Sequence, residues 1–234
     1  MAASSNTLQS TGERPNIIYV MADDMGWGDP GCYGATQIPT PNMDRLAEEG
    51  VRCTDAHSSS AVCTPSRYGA LTGRYCWRTS LKRWVLMGLS PPLLSPERVT
   101  VASFLREHGY ATAAVGKWHL GLGWATRDGA EPEPDASNVD FEQPIGGGPN
   151  TVGFDYFFGI SASLDMPPYC FIENDRTVGV PSPEKDPYHA QQRPGPVSPV
   201  PHERFGWHVD YPRRLAHRPA YGLENIIPCE RLHV

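Results

Sequence analysis

The first apolar run along the chain is Asn16-Ile17-Ile18-Tyr19-Val20-Met21-Ala22, polar only at its first residue. A short continuous run of this kind suits a strand covered on both faces, as in a parallel α/β sheet. It stops at two acids, Asp23 and Asp24, and a glycine-rich loop over 25–34 follows. Ligands gather at the carboxyl ends of strands in open α/β sheets, so the acid pair stands where polar function belongs. Thr40 and Pro41 predict a helix start, the threonine as cap and the proline in the first turn. Met43, Leu46 and Ala47 share one face of the helix expected over 42–49, and Gly50 suits its end. Residues 51–56 read as another short strand, leading into Ser58-Ser59-Ser60.

A loop entering a helix is expected at Cys63, with Pro65 near the first turn and Tyr68, Ala70 and Leu71 as apolar positions before Gly73. Thr100 is a predicted cap for a helix over 101–108, with Gly109 as its stop. Residues 110–115 are again strand-like and end in Gly116-Lys117-Trp118-His119-Leu120-Gly121. Strand and helix in alternation predict a doubly wound α/β domain, its mostly parallel sheet flanked by helices. Beyond Gly123 the pattern weakens. Residues 131–134 and 146–149 read as surface loops, and the aromatic stretch 153–160 is expected in the core. Seven prolines between Pro181 and Pro201 are too many for regular structure.

Composition narrows the function. The chain has 234 residues and a formal net charge of −6, which disfavours a nucleic-acid partner bound through its phosphates. No apolar run approaches the roughly 18 residues that span a bilayer. Residues 1–15 are polar and lack the apolar centre of a signal peptide, so the chain as written is expected in the cytoplasm. An N-terminus extended upstream would instead suit a periplasmic or secreted protein. None of the six cysteines (Cys32, Cys53, Cys63, Cys76, Cys170 and Cys229) forms a C-x-x-C pair, which weakens a zinc-ribbon or thioredoxin-like reading. Apart from Cys63 they read as buried thiols.

Cys63-Thr64-Pro65-Ser66-Arg67-Tyr68-Gly69-Ala70-Leu71-Thr72-Gly73-Arg74 resembles, without a gap, the signature of type I sulfatases, C-x-P-S-R with T-G four residues later. Residues 16–24 with the following Gly-Trp-Gly-Asp, residues 40–46, and Gly116-Lys117-Trp118-His119-Leu120-Gly121 agree with it. The resemblance runs from about residue 15 to about residue 165. It points to formylglycine-dependent, arylsulfatase-like enzymes of the alkaline phosphatase superfamily, and hence to that superfamily's sheet, truncated here. The organisation it implies is a disordered tail over 1–14, the N-terminal part of a sulfatase catalytic domain over 15–180, and a proline-rich, irregular and divergent segment over 181–234.

The resemblance implies a sulfuric ester hydrolase. A maturation system of the family oxidises the cysteine, here Cys63, to formylglycine, an aldehyde. Two adjacent acids can hold a hard divalent cation through oxygen, as Ca²⁺ or Mg²⁺ prefer. Such a cation offsets the charge of a sulfate ester and stabilises an ionised nucleophile. The aldehyde would hydrate to a gem-diol, one hydroxyl attacking sulfur and the other later losing its proton to expel sulfate. A serine has no such exit. By resemblance Asp23, Asp24 and residue 63 are metal ligands, with Ca²⁺ expected and Mg²⁺ second. Arg67 would steady the nucleophile, Lys117 would bind a sulfate oxygen, and His119 would hydrogen-bond the diol and serve as base. Ser163 is expected near the sulfate. The neighbouring Trp and Tyr residues read as packing.

Each residue alone has a plainer reading: Asp23-Asp24 as a solvated turn, Lys117 as a surface lysine, His119 as a hydrogen-bonded core histidine. Their order and context favour the shared site. The family completes its metal site with a later Asp followed by Asn or His, and no such pair occurs in this sequence. Residues 213–219 read as a divergent or frame-shifted end. Low stability and little turnover are therefore expected of the chain by itself. The expected partners are an aryl sulfate or sulfated sugar as substrate and the maturation system. The alternatives are a phosphonate or phosphate monoester hydrolase of the same superfamily, and a non-catalytic fragment that binds a sulfated ligand or a partner.

Overall fold

The computed structural model describes residues 14–181. Most of the expected N-terminal tail, nearly all of the proline-rich segment, residues 213–219 and Cys229 lie outside them. Three α-helices, three short 3-10 turns and a four-stranded sheet make up the regular part of the described residues: α1 (Pro41–Glu49), α2 (Cys63–Thr72), α3 (Val101–Glu107), β1 (Ala113–Lys117), β2 (Tyr156–Ile160), β3 (Ile172–Glu173) and β4 (Arg176–Thr177). The strands lie side by side in that order. β1 and β2 are parallel, with Ala113 opposite Tyr156 and Lys117 opposite Ile160, while β3 and β4 extend the sheet antiparallel. The α/β architecture with parallel pairing is thus present, and two very short strands make the sheet mixed.

The capping signals account for the helices. Thr100 Oγ1 accepts from the Ser103 N–H at 3.0 Å and Ser103 Oγ accepts from the Thr100 N–H at 2.9 Å, a reciprocal capping box. Gly73 ends α2 at φ 65°, a left-handed conformation that costs glycine little, and its N–H reaches Gly69 O. α1 begins at Pro41, but Thr40 does not cap it. The Thr40 hydroxyl is drawn away to the Gly31 N–H at 2.7 Å and to Asp44 Oδ1 at 3.1 Å. Gly50 ends α1 at φ −121°, outside the left-handed region.

Two expected strands are absent. Residues 16–22 form no ladder among the described residues, and Ile18 is 87% exposed there. Residues 51–56 form none either, and Val51 stands in solvent. An apolar run becomes a strand only when a neighbour pairs its backbone, and these two runs have no such neighbour among the described residues. Arg14 nonetheless bonds the carbonyl of His108 and lies 6.0 Å over the Tyr110 ring, before β1 begins, while Asp23 bonds Lys117 at its far end. The run therefore follows β1 in the same direction, tied at both ends by side chains. The strand expected over 110–115 is shifted to Ala113–Lys117.

The core sits on one side of β2. Phe157 and Ile172 are enclosed with Tyr68 of α2 and with Trp118, Leu120, Leu122 and Trp124 from the irregular chain after β1. The 153–160 stretch contributes to the core as expected. β1 and β2 approach closely because Gly116 faces Gly159; a Cβ on Gly159 would stand 1.8 Å from Gly116 O. Of the thiols expected to be buried, Cys76 and Cys170 are, but Cys53 is exposed and Cys32 half-buried, since both lie in the thinly covered region before α2.

Candidate active site

β1 delivers Lys117 to its carboxyl end, and α2 begins at Cys63 beside it. The Lys117 ammonium lies 3.1 Å from Cys63 Sγ and 2.8 Å from Asp23 Oδ2. Asp23 Oδ1 faces the sulfur at 3.9 Å, and Asp23 Oδ2 also meets Arg67 Nη2 at 3.3 Å. Arg67 stands one helical turn after Cys63, so both point the same way from α2. Its other terminal nitrogen donates to the carbonyl of Lys117. Residues 23, 63, 67 and 117, far apart in sequence, therefore close on one another around a single carboxylate.

The charges shape one another. Burial raises the Asp23 pKa, but the hydrogen bond and charge of Lys117, with the charge of Arg67, outweigh it and hold the carboxyl below its ordinary value. Asp24 moves the other way: burial and then the neighbouring Asp23 raise it, only partly offset by Lys117 and Arg67. Burial lowers the Arg67 guanidinium, opposed mainly by Asp23. The pair thus reads as one firmly ionised carboxylate and one more easily protonated, the expected result for two acids sharing a site.

One donor atom each from Asp23, Asp24 and Cys63 lies within 4.8 Å of the others, a spread that a single ion with ligands at about 2.4 Å can bridge. Two hard carboxylates suit a hard divalent cation. A thiol does not, and an oxygen in place of the sulfur would. Three donors fall short of the six to eight oxygens that Ca²⁺ takes, so the described residues supply part of a coordination shell.

His119 follows β1 and is fully enclosed. Its Nε2 donates to the carbonyl of Leu86 at 2.6 Å, and Nδ1 is buried without a hydrogen-bond partner. Burial lowers its pKa to about 4, so the ring is neutral at pH 7 with its lone pair on Nδ1. Thr64 Oγ1 donates to the carbonyl of His119 at 2.9 Å and accepts from the Leu86 N–H at 3.1 Å. This strut could not be anticipated, because Thr64 occupies the variable position of the motif and Leu86 contributes only backbone. Ser163 is half-buried in the turn after β2, with its carbonyl accepting from the Met166 N–H at 2.9 Å; among the described residues no side-chain bond links it to the cluster. Ser161 lies closer to the chemistry, its carbonyl holding the His119 N–H at 2.9 Å. Of the aromatic residues read as packing, Trp118 and Trp124 are buried, whereas Tyr75, Trp77 and Trp84 are exposed.

Comparison with known proteins gives one answer. The family model described as Sulfatase matches residues 15–196. The N-acetylgalactosamine-6-O-sulfatase of Bacteroides thetaiotaomicron is 45% identical over 168 residues, 72% of this chain and 30% of the relative. Human steryl-sulfatase is 44% identical over 63% of this chain and 24% of its own length. A solved structure from work on the metabolism of multiple glycosaminoglycans by Bacteroides thetaiotaomicron superposes with a TM-score of 0.63 at 46% identity. It covers 73% of this chain and 33% of that one. The chain thus spans about a third or less of the length of each of these relatives.

Proposed function

From the premise that this chain belongs to the sulfatase family, we propose that it builds the nucleophile half of a sulfuric ester hydrolase centre. The observation that carries the reading is the approach of Lys117 to both Cys63 and Asp23 at 3.1 and 2.8 Å. A cation beside the nucleophile position and a carboxylate pair open to a metal is what an anionic ester requires. The family uses formylglycine and a divalent metal. We assign the former to Cys63, made by a maturation system, and the latter, as Ca²⁺ before Mg²⁺, to Asp23, Asp24 and residue 63. When present, the two supply an oxygen nucleophile and charge compensation at sulfur.

The remaining roles belong to the chain itself. Lys117 holds a sulfate oxygen, and its side chain is fixed by Asp23. Arg67 braces the carbonyl of Lys117 and adds positive charge where negative oxygens collect. His119, neutral and oriented by Leu86, offers Nδ1 as the atom that can take a proton. Ser163 keeps the substrate-binding role near the sulfate that the family resemblance gives it, without a contact among the described residues to support it. A sulfated sugar is the favoured substrate class, in line with the name of the Bacteroides relative.

Two measurements test the reading. Production in a host with the maturation system should yield an aldehyde in the peptide containing Cys63, seen by mass spectrometry and hydrazide capture; an intact thiol in every such host overturns it. Lys117→Ala should weaken binding of a small aryl sulfate roughly ten- to a hundredfold, the worth of a charge-assisted hydrogen bond. Unchanged binding would remove Lys117 from the site.

A further inference from the structure

The chain leaving α2 turns back past the start of that helix. Over residues 74–84 it carries Arg74, Arg78, Lys82 and Arg83 and no acid, in a protein whose net charge is −6. Among the described residues none of these four cations is in an ion pair. Three aromatic rings accompany them. Tyr75 and Trp77 stack at 5.9 Å and 18°, both more than half exposed, and Trp84 is 84% exposed. Trp77, Lys82, Arg83 and Trp84 line a cleft of about 190 Å³ that also reaches Ser60 and Val62, the residue just before Cys63. Large indoles left in water beside unpaired cations mark a surface that binds something.

The placement of Trp84 supports this. It sits at φ 66°, a conformation that a bulky side chain adopts only when its surroundings impose it. Two residues on, Leu86 is fastened on both sides, its N–H to Thr64 and its carbonyl to His119. Trp84 is thereby held in fixed relation to the first turn of α2 and the reactive position. Lys82 Nζ is bonded to the Trp77 carbonyl at 2.9 Å, which keeps that cation over the cleft.

We propose that residues 74–84 form an oligosaccharide-binding shelf, which takes a sulfated sugar neighbouring the one whose ester sits at Lys117. The flat, apolar indole faces match the C–H face of a pyranose ring, and guanidinium and ammonium groups match sulfate oxygens. A hydrophobic alcohol such as a sterol would call for an enclosed apolar cavity, whereas this surface is open and cationic. A small aryl sulfate has no second sugar ring to lay on the indole faces and no second sulfate for the cations. The inference rests on the sulfatase reading and names the substrate of that site as a polysulfated carbohydrate chain.

The test uses the full 234-residue chain and three probes: a chondroitin sulfate hexasaccharide, the same hexasaccharide desulfated, and polyglutamate of matching charge. Binding is followed by calorimetry and tryptophan fluorescence. The sulfated hexasaccharide should bind, with the desulfated sugar and polyglutamate much weaker. Trp77→Ala/Trp84→Ala should weaken the hexasaccharide by about tenfold or more, as for loss of an aromatic platform, and leave a small aryl sulfate unaffected. Lys82→Gln/Arg83→Gln should weaken it similarly and flatten the salt dependence. Trp84→Phe, which keeps a flat ring, should retain most of the binding and guards against misfolding as the cause. No binding by the unaltered chain, equal affinity for polyglutamate, or no effect of the paired variants would each overturn the shelf. Aldehyde formation at Cys63 and aryl sulfate binding through Lys117 are read on the same preparations, so failure of the catalytic reading registers separately.

Discussion

At position 119 an imidazole is fully enclosed, and burial lowers its pKa from 6.5 to about 4. The unfolded chain takes up that proton near pH 6.5, while the folded chain resists it until about pH 4. Above the window the neutral ring makes no pH-dependent contribution. As pH falls through it the unfolded state binds more protons, and stability is lost, by on the order of 3 kcal/mol in all. Urea midpoints taken from neutrality down to about pH 4 should show a steeper decline for the natural chain than for His119→Gln. Equal slopes would assign the acid sensitivity to other groups. Asp23, Cys63, Arg67 and Lys117 were legible at this scale, because each sits in a dense motif and the fold brings all four together. The Thr64 strut was not, since its meaning lies in backbone groups of Leu86 and His119 that no motif encodes.

Among the elements, α2 carries the strongest constraint. Gly69 lies in its middle, where glycine ordinarily costs about 1 kcal/mol relative to alanine. Here a Cβ would stand 2.0 Å from Ser59 Oγ and 2.7 Å from Ser59 Cβ. Forcing that contact costs about 1–3 kcal/mol, which exceeds the gain in helix propensity. Gly69→Ala should therefore destabilise by about 1 kcal/mol, and Ser59→Gly/Gly69→Ala should recover the loss in chemical denaturation. A lowered midpoint in the double variant equal to that of the single one would show that Ser59 is not the obstacle. The helices were readable because their signals are local: a proline in the first turn of α1, a glycine after α2, a threonine before α3. Strands depend on partners. Residues 16–22 have the composition of a strand without one, whereas β3 and β4 span two residues each, too few for any period to register.

At the scale of the molecule, burial is uneven among the described residues. The core gathers around β2 and the chain after β1, while the run 16–22 leaves Ile17, Ile18, Tyr19 and Val20 more than half exposed. Apolar backbone that forms no ladder among the described residues is a template for association with another chain. Ile18→Lys should reduce light scattering and dye binding of the 234-residue chain, with stability changed by no more than about 0.5 kcal/mol, since Ile18 is 87% exposed. Undiminished scattering would place the sticky surface elsewhere. The Thr64 hydroxyl has the opposite character. By joining the start of α2, the residue after Trp118 and the chain behind Trp84, it makes three separate stretches of backbone breathe as one. Amide exchange should accordingly be slow and synchronous at Leu86 and His119 and fast along 16–22. Thr64→Val, at about 1–3 kcal/mol, should let the protection at Leu86 collapse while the rest of α2 keeps its own tempo.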